Sequence, residues 1–276
     1  MRLLMSRKLL AVDMDGTLFN DDKTISKENL AAISELLDAG HVFAFNTGRP
    51  NHALREILSV YDEFKRDDVY ILGHQGIIGT RFDSDEALFG DYLNNDDARE
   101  VISEVLLKGF TCVTFDVEHI YTFNDNWFIE SYKKLSGEQL VYLDSVDDLK
   151  DKKITKLIAI DYDHPENLQA FKDEHEKVYG NRFESFFSHY AFLEYIKKGT
   201  GKGDGVKKLA KLKGISMDDV ITVGDERNDI SMIEAAGTGV AVANAREELK
   251  SVADFVTEND NNHGAIAEVI HKFVIK

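Results

Sequence analysis

Residues 8–18 read KLLAVDMDGTL, in which an apolar run ends at an aspartate that opens a polar segment. The run at 8–12 has the length of a short buried strand, and Gly16 permits a sharp turn after it. Asp13 and Asp15 therefore stand at the end of this strand, separated by one residue. Because sites in open α/β sheets form beyond the carboxyl ends of the strands, these two aspartates are the first candidate site residues.

Strand and helix patterns alternate on either side of a central region. A helix is predicted at 26–40, with Ser26 as its N-cap and Gly40 as its C-cap. The other predicted helices lie at 51–61, 202–212, 229–236, 246–252 and 265–272, and the other strands at 41–46, 69–72, 219–223, 239–243 and 254–257. Repeated strand–helix–strand units predict a parallel sheet that is covered on both faces.

The central region has a different pattern, in which paired strands lie beside helices. Strands are predicted at 111–115, 119–123, 153–161, 182–187 and 191–196, and helices at 100–107, 126–135 and 166–178. Hairpins combined with helices indicate an inserted α+β domain. The predicted fold class is therefore α/β, with a Rossmann-like parallel-sheet core at 1–82 and 196–276 and an inserted α+β domain at 83–195.

Composition limits the classes of partner and compartment. The chain has 276 residues, with 33 basic against 50 acidic side chains and a formal charge of −17, which argues against nucleic acid and anionic membrane surfaces. Cys112 is the only cysteine, so no intrachain disulfide can form. The first ten residues, MRLLMSRKLL, carry charges within a short apolar stretch and do not resemble a signal peptide. We expect a cytoplasmic protein.

The pair Asp13 and Asp15 suits phosphoryl chemistry, because one carboxylate can attack phosphorus while the other holds or donates a proton. Two carboxylates this close need a cation, and Mg²⁺ prefers such oxygen ligands. The same spacing also occurs in solvated turns, and spacing alone does not choose between the two. A calcium-binding EF-hand loop is excluded, because Thr24 occupies the twelfth position after the strand, where that loop requires glutamate.

Two further strand ends carry groups that can bind anions. The strand at 41–46 leads into Thr47 and Gly48, whose hydroxyl and backbone N–H groups can hold phosphate oxygens, although an ordinary turn has the same composition. Residues 199–203 read GTGKG and open a helix, where the helix dipole disfavours a cation unless an anion is present. This stretch is not a P-loop, and Lys202 is the lysine that its glycine context singles out.

A fourth strand end, at 219–223, leads into the acidic sequence GDERND at 224–229. Asp225 and Asp229 there are candidate metal ligands facing the first aspartate pair. An acidic helix start that the dipole favours would also explain Asp229, but it explains Asp225 less well.

Together, DMDGTL, NTGR, KGTGKG and GDERND before VAVANA resemble the haloacid dehalogenase superfamily, in particular its Cof-like branch with a type IIB cap. The resemblance covers the whole chain and implies a Mg²⁺-dependent phosphatase whose inserted domain is a cap that selects the substrate. It implies that Asp13 is the nucleophile and a metal ligand, and that Asp15 is the general acid/base and binds metal through its carbonyl. Lys202 would steady the nucleophile, and Asp225 and Asp229 would complete the metal site.

The resemblance also implies a set of phosphate contacts, formed by Met14, Thr47, Gly48, Lys202 and Asn228. This chain departs from the family pattern at two places outside the catalytic set. His74-Gln75-Gly76 stands where Asn-Gly is common, and Asn262-His263-Gly264 stands where an acidic residue often precedes the glycine.

The predicted activity is hydrolysis of a small phosphorylated metabolite, either a sugar phosphate or a phosphorylated cofactor. One alternative is a phosphotransferase or phosphomutase that uses the same phospho-aspartate. Another is a phospho-accepting regulator, against which Asp15 argues, because a second carboxylate placed for acid/base work favours rapid turnover. Candidate specificity residues in the inserted domain are His119, Asn124, Asn126, Trp127, His189 and Tyr190, of which Trp127 is interpreted as a packing residue.

Overall fold

The computed structural model describes residues 6–136 and 139–275, which divide into two compact units. The first unit comprises the chain up to Gly90 and from Gly201 onward, and the second is Asp91–Thr200. The boundaries predicted from the sequence lie slightly earlier, at 82/83 and 195/196.

The strands and helices follow the chain in this order. The strands are β1 (Leu9–Val12), β2 (Val42–Asn46), β3 (Val69–Leu72), β4 (Ile78–Arg81), β5 (Ala87–Gly90), β6 (Thr111–Phe115), β7 (Ile120–Thr122), β8 (Leu140–Tyr142), β9 (Lys156–Ile160), β10 (Phe183–His189), β11 (Phe192–Lys197), β12 (Val220–Gly224), β13 (Thr238–Ala241) and β14 (Phe255–Val256). The helices are Lys27–Asp38, Asn51–Leu58, Asn95–Leu107, Trp127–Ser136, Pro165–Tyr179, Lys202–Lys213, Ile230–Ala235, Glu247–Lys250 and Ala265–Phe273.

The first unit is built on one sheet with the strand order β14-β13-β12-β1-β2-β3-β4-β5. The strands from β14 to β3 are parallel, whereas β4 and β5 pair antiparallel at one edge. In β1, Leu10 and Val12 enter one apolar core while Leu9 and Ala11 enter another, so the sheet is buried on both faces. The predicted parallel core is confirmed.

The antiparallel edge explains why the first unit extends beyond residue 82. Ala87–Gly90 pairs with β4 and so belongs to the same sheet, yet three of its four residues are exposed. A strand whose alternate residues are not buried has no apolar periodicity, so the sequence pattern does not predict this strand.

The helix Lys27–Asp38 fixes the chain after the first strand loop. Ser26 caps it through its side chain, which accepts a hydrogen bond from the backbone N–H of Asn29 at 3.1 Å. The predicted cap is thus confirmed at Ser26, whereas the C-cap is Ala39 and Gly40 follows it. One face of the helix, including Ile33 and Leu36, is buried against the sheet.

The second unit has a sheet of order β10-β11-β9-β6-β7-β8, antiparallel except for the pair β7 and β8. Asn95–Leu107 and Pro165–Tyr179 contribute to one apolar core with Cys112, and Trp127–Ser136 contributes to another with Val113. Both predicted hairpins, β6–β7 and β10–β11, are present. In the part of the chain described, no helix combines the length and the hydrophobicity that a membrane span requires.

Candidate active site

The loops that follow β1 and β12 lie side by side at the carboxyl edge of the parallel sheet. The two strands are paired in register, with Val12 opposite Val223. The backbone N–H of Asp13 donates to the carbonyl oxygen of Val223 at 2.9 Å and extends this ladder by one residue. Asp13 is thereby placed beside the loop that carries Asp225 and Asp229.

Lys202, at the first turn of Lys202–Lys213, joins these two loops. Its Nζ donates to Oδ1 of Asp13 and, at 2.5 Å, to Oδ1 of Asp229. The other oxygen of Asp229 accepts the backbone N–H groups of Asp225 and Glu226 at 2.9 and 3.0 Å. Asp229 therefore links the lysine to the backbone of the loop that carries Asp225.

Asp13, Asp225 and Asp229 form a compact group of carboxylates, with one oxygen from each lying within 4.8 Å of the others. All are oxygen donors of the kind that Mg²⁺ binds, so the residues present fit a divalent cation. When all three carboxylates are ionised, Lys202 supplies one positive charge against their three negative charges. A metal ion held by the three carboxylates would neutralise the remainder.

The protonation of this group reflects its burial. Burial raises the pKa of Asp13 well above its ordinary value, against the charge of Lys202 and with the charges of Asp229 and Asp225 adding to the rise. Burial, together with the charge of Asp229, raises the pKa of Asp225 to about 6. Burial alone would lower the pKa of Lys202, but Asp13 and Asp229 outweigh it and raise that pKa above its ordinary value.

The carboxylate of Asp225 is held against the loop that follows β1. Thr17 Oγ1 donates to Asp225 Oδ1 at 2.8 Å, and Asn244 Nδ2 donates to the carbonyl oxygen of Gly16 at 2.8 Å. Gly16 has φ of +84°, and a Cβ there would lie 2.4 Å from Asp225 Oδ2. The glycine is therefore required both for the turn and for the approach of the carboxylate. Thr17 and Asn244 are site residues that sequence reasoning did not identify.

Asp15 is held by different partners. Arg49 donates to both of its carboxylate oxygens, at 3.0 and 3.1 Å, and Lys23 Nζ donates to Oδ1 at 2.8 Å. Partial burial acts to raise the pKa of Asp15, but the charge of Arg49 and the hydrogen bond and charge of Lys23 lower it below its ordinary value. These cations favour the ionised form of the carboxylate. Arg49 was visible in the NTGR motif, whereas Lys23 carried no sequence signal.

The predicted phosphate contacts lie around Gln75. The carbonyl oxygen of Thr47 accepts the backbone N–H of Gln75 at 2.8 Å, and Asn228 Nδ2 donates to Gln75 Oε1 at 3.2 Å. A Cβ on Gly48 would lie 2.8 Å from Gln75 Nε2. Met14 is buried, and its carbonyl oxygen accepts three N–H groups of the loop that follows it. Gln75 thus connects residues that come from separate loops.

Two of the candidate specificity residues in the second unit have structural partners. Asn124 Oδ1 accepts the backbone N–H of Cys112 at 2.9 Å, and Asn126 Nδ2 donates to Thr111 Oγ1 at 2.7 Å. His119 lies beside Asp116, with its Nδ1 3.6 Å from a carboxylate oxygen. The amides of Asn124 and Asn126 therefore fix loop conformation.

The other three candidates lie together on the second unit. The ring centroids of Trp127, His189 and Tyr190 are 5.4, 6.0 and 6.1 Å from the ring of Tyr162. Trp127 also packs against Phe128 at 4.4 Å, yet it remains 53% exposed. Trp127 therefore has both the packing contact that the sequence suggested and a free face.

The chain is similar in sequence and in fold to proteins of one hydrolase family. The family described as haloacid dehalogenase-like hydrolase matches residues 10–270. The chain is 31% identical over 270 residues to "Putative phosphatase YxeH" of Bacillus subtilis, covering 97% of this chain and 98% of that protein. It is 28% identical over 283 residues to the 5-amino-6-(5-phospho-D-ribitylamino)uracil phosphatase YwtE of the same species, covering 93% and 95%. A haloacid dehalogenase-like hydrolase from Bacteroides thetaiotaomicron has a TM-score of 0.83 at 25% identity, covering 97% and 99% of the two chains.

Proposed function

The chain belongs to the haloacid dehalogenase-like hydrolases and is a phosphatase, and we propose that it hydrolyses a small phosphorylated metabolite through an aspartyl phosphate on Asp13. The observation that carries this proposal is the buried group in which Lys202 contacts Asp13 and Asp229 beside Asp225. A nucleophilic carboxylate, a fixed cation and a set of oxygen ligands are the parts that phosphoryl transfer to a side chain requires.

The proposed reaction has two displacements at phosphorus. A carboxylate oxygen of Asp13 attacks phosphorus, and the bond from phosphorus to the leaving oxygen breaks while Asp15, which takes up a proton from solvent when the anionic phosphoryl group binds beside it, gives that proton to the leaving oxygen. A water molecule then attacks the aspartyl phosphate, Asp15 takes a proton from it, and the bond from phosphorus to Asp13 breaks. Inorganic phosphate, the free alcohol and the original carboxylate are the products.

The remaining residues bind and orient the phosphoryl group. Lys202 holds the attacking carboxylate and offsets its charge, which matters because Asp13 is buried. Thr47, Gly48, Asn228 and the backbone of Met14 are proposed to contact the phosphoryl oxygens. Bound Mg²⁺, held by Asp13, Asp225, Asp229 and the carbonyl of Asp15, would supply further neutralisation of the charge on phosphorus and its oxygens.

We infer that the substrate is a phosphate monoester of a sugar, a sugar-like chain or a cofactor. YwtE is named for a phosphorylated ribitylaminouracil, in which the phosphate is carried by a ribityl chain. The net charge of −17 argues against nucleic acid as the partner. The second unit, inserted between the two segments of the first, is proposed to act as the cap that selects the leaving group.

The test is phosphate release from an aryl phosphate and a panel of phosphorylated sugars and cofactors, with Mg²⁺ and with EDTA. We expect release that requires the metal and that Asp13→Asn abolishes, although that variant still folds. Cys112→Ser, which alters a buried residue of the second unit, is the control and should keep activity. Turnover only when a second sugar hydroxyl is supplied would indicate a phosphotransferase instead. Stable phosphorylation of Asp13 without release would indicate a phospho-accepting regulator.

A further inference from the structure

The connection between β3 and β4 contains a run of left-handed residues beside the candidate site. His74, Gln75 and Gly76 have φ values of 52°, 64° and 80°. Glycine adopts this conformation freely, but a residue with a Cβ does so at a steric cost. Two such residues in succession, both buried, mark a place where the surrounding structure imposes the backbone.

Several independent contacts hold this turn. The backbone N–H of His74 donates to the carbonyl oxygen of Arg49 at 2.9 Å, and that of Gln75 donates to Thr47 at 2.8 Å. Asn51 Nδ2 donates to the carbonyl oxygens of Ile71 and Ile78, the residues that flank the turn, at 3.2 and 3.3 Å. The turn is thus tied to the loop after β2 on one side.

The turn also packs tightly against the helix that carries the catalytic lysine. A Cβ on Gly76 would lie 2.7 Å from the carbonyl oxygen of Gly201, and one on Gly205 would lie 2.5 Å from the carbonyl oxygen of Gly76. The backbones therefore touch where Lys202–Lys213 begins. The turn cannot relax to an ordinary conformation without moving the segment that carries Lys202.

The consequence of this strained geometry is the position of one side chain. Gln75 is buried, at only 4% exposed, and its carboxamide lies between Gly48 and Asn228. Its Oε1 accepts one N–H of Asn228 at 3.2 Å and its Nε2 lies next to Gly48. An amide nitrogen carries two N–H donors, so Asn228 keeps a second donor for a phosphoryl oxygen.

We propose that Gln75 is a positioning residue for the phosphoryl group. It orients the amide of Asn228 and packs against Gly48, so that both predicted phosphate contacts face the same phosphoryl group. This inference rests on the proposed function, because it takes the group at Asn228 and Gly48 to be phosphate. It concerns a residue at which the chain departs from the Asn-Gly pattern. The glutamine side chain is longer than that of asparagine, and it reaches both Gly48 and Asn228.

The test measures affinity for inorganic phosphate, both as a competitive inhibitor of turnover and by calorimetry with Mg²⁺ present. Gln75→Met keeps the side-chain length and the backbone strain but removes the amide. Its phosphate dissociation constant should rise about 10- to 100-fold, the range expected when a misoriented Asn228 loses its hydrogen bond to the charged phosphate. Gln75→Asn restores an amide in a residue that tolerates left-handed backbone, and should recover part of the loss.

A second variant separates an effect on phosphate affinity from an effect on the stability of the fold. Gln75→Gly removes the side chain and relieves the left-handed strain, so it should lose phosphate affinity while its thermal midpoint stays close to that of the wild type. Asp151→Gly is the matched control, because Asp151 is exposed, has φ of 68° and lies in the second unit. It relieves the same kind of strain and should leave phosphate affinity unchanged.

A double-variant cycle with Asn228→Ala identifies the route of action. If Gln75 acts through Asn228, the double variant should bind phosphate about as weakly as whichever of the two single variants has the lower phosphate affinity. Phosphate affinity within about threefold of the wild type in both Gln75→Met and Gln75→Gly, or fully additive losses, would overturn the inference. Wild-type protein that binds phosphate but releases none from any ester would instead contradict the proposed function, and calorimetry would still test Gln75.

Discussion

Nζ of Lys202 lies 2.5 Å from Oδ1 of Asp229, and both side chains are excluded from solvent. The second oxygen of Asp229 accepts two backbone N–H groups, so the protein holds both oxygens of this carboxylate in place. Its position is therefore set by the protein alone. Asp13 and Asp225 have their carboxylates arranged around this fixed pair.

Removing Lys202 should destabilise the metal-free protein. Lys202→Met leaves buried carboxylates without their cation, which typically costs about 3–5 kcal/mol of unfolding free energy. Mg²⁺ should restore much of this loss, and Lys202→Met combined with Asp229→Asn should also recover part of it. Urea denaturation with EDTA and with Mg²⁺ measures both effects. Lys65→Met, at an exposed pair with Asp62, is the control and should change stability by less than about 1 kcal/mol.

Substitution of Gly16 should displace Asp225. Gly16→Ala places a Cβ against the carboxylate, and misplacement of a site group by about 1 Å can reduce turnover about 100-fold. Gly40→Ala is a matched control, since Gly40 also has φ of +84° but a Cβ there meets no atom within 4 Å. Steady-state turnover with Mg²⁺ titrated over a wide range compares the two variants. Equal losses in both would attribute the effect to backbone strain and not to Asp225.

Lys23 should influence the pH dependence of turnover through Asp15. Burial acts to raise the pKa of Asp15, but the charges of Arg49 and Lys23 outweigh it and lower this pKa below its ordinary value. Lys23→Met removes one of these cations, so the pKa of Asp15 should rise and the limb of the pH–rate profile that it governs should move to higher pH. Profiles of kcat/KM for the wild type, Lys23→Met and the control Lys65→Met measure this shift. An unmoved limb would show that another group governs it.

Acid should weaken the fold through His41. Burial lowers the pKa of this buried imidazole, as do the charges of Lys8 and Arg7, and its Nδ1 accepts the backbone N–H of Lys8 at 3.0 Å. The folded pKa lies below the unfolded value of about 6.5, so the stabilisation is present above that pH and is lost as pH falls through the folded pKa.

The magnitude expected for the His41 effect is that of one hydrogen bond, about 1 kcal/mol. His41→Asn keeps an acceptor but does not titrate, so its unfolding free energy should fall less than that of the wild type between pH 7 and pH 5. Denaturant unfolding at several pH values provides the comparison. Parallel curves for the two proteins would assign the acid sensitivity to other groups.

The sequence predicted best those elements that local pattern and sheet topology determine. The strand at 69–72 has the predicted bounds, Ser26 is the helix cap, and the resemblance drawn from the motifs is confirmed at the level of the family. The helix predicted at 229–236 is preceded by a 3-10 turn, Arg227–Asp229, and runs from Ile230 to Ala235. The side chain of Asp229 accepts hydrogen bonds from Lys202 and from backbone N–H groups, and these contacts shape the turn.

The parts of the site that sequence reasoning missed depend on contacts between distant residues. The left-handed backbone at Gln75 is imposed by Thr47, Arg49 and Asn51, and no local preference of glutamine favours it. Of the partners of Asp15, Arg49 comes from the loop after β2, and Lys23 lies farther along the same loop as Asp15. Residue type and spacing placed the carboxylates on one edge of the sheet, but they do not specify which cation each carboxylate meets.

The pairing of β1 with β12 has a consequence for how the protein is made. Leu9 lies opposite Val220, so β1 leaves the ribosome long before its partner, by roughly 10–40 s at usual elongation rates of about 5–20 residues per second. During that time one edge of β1 remains an open template for wrong pairing. The second unit is continuous in the chain and has all its strands available earlier. The unit whose synthesis starts first is therefore the last that can be completed.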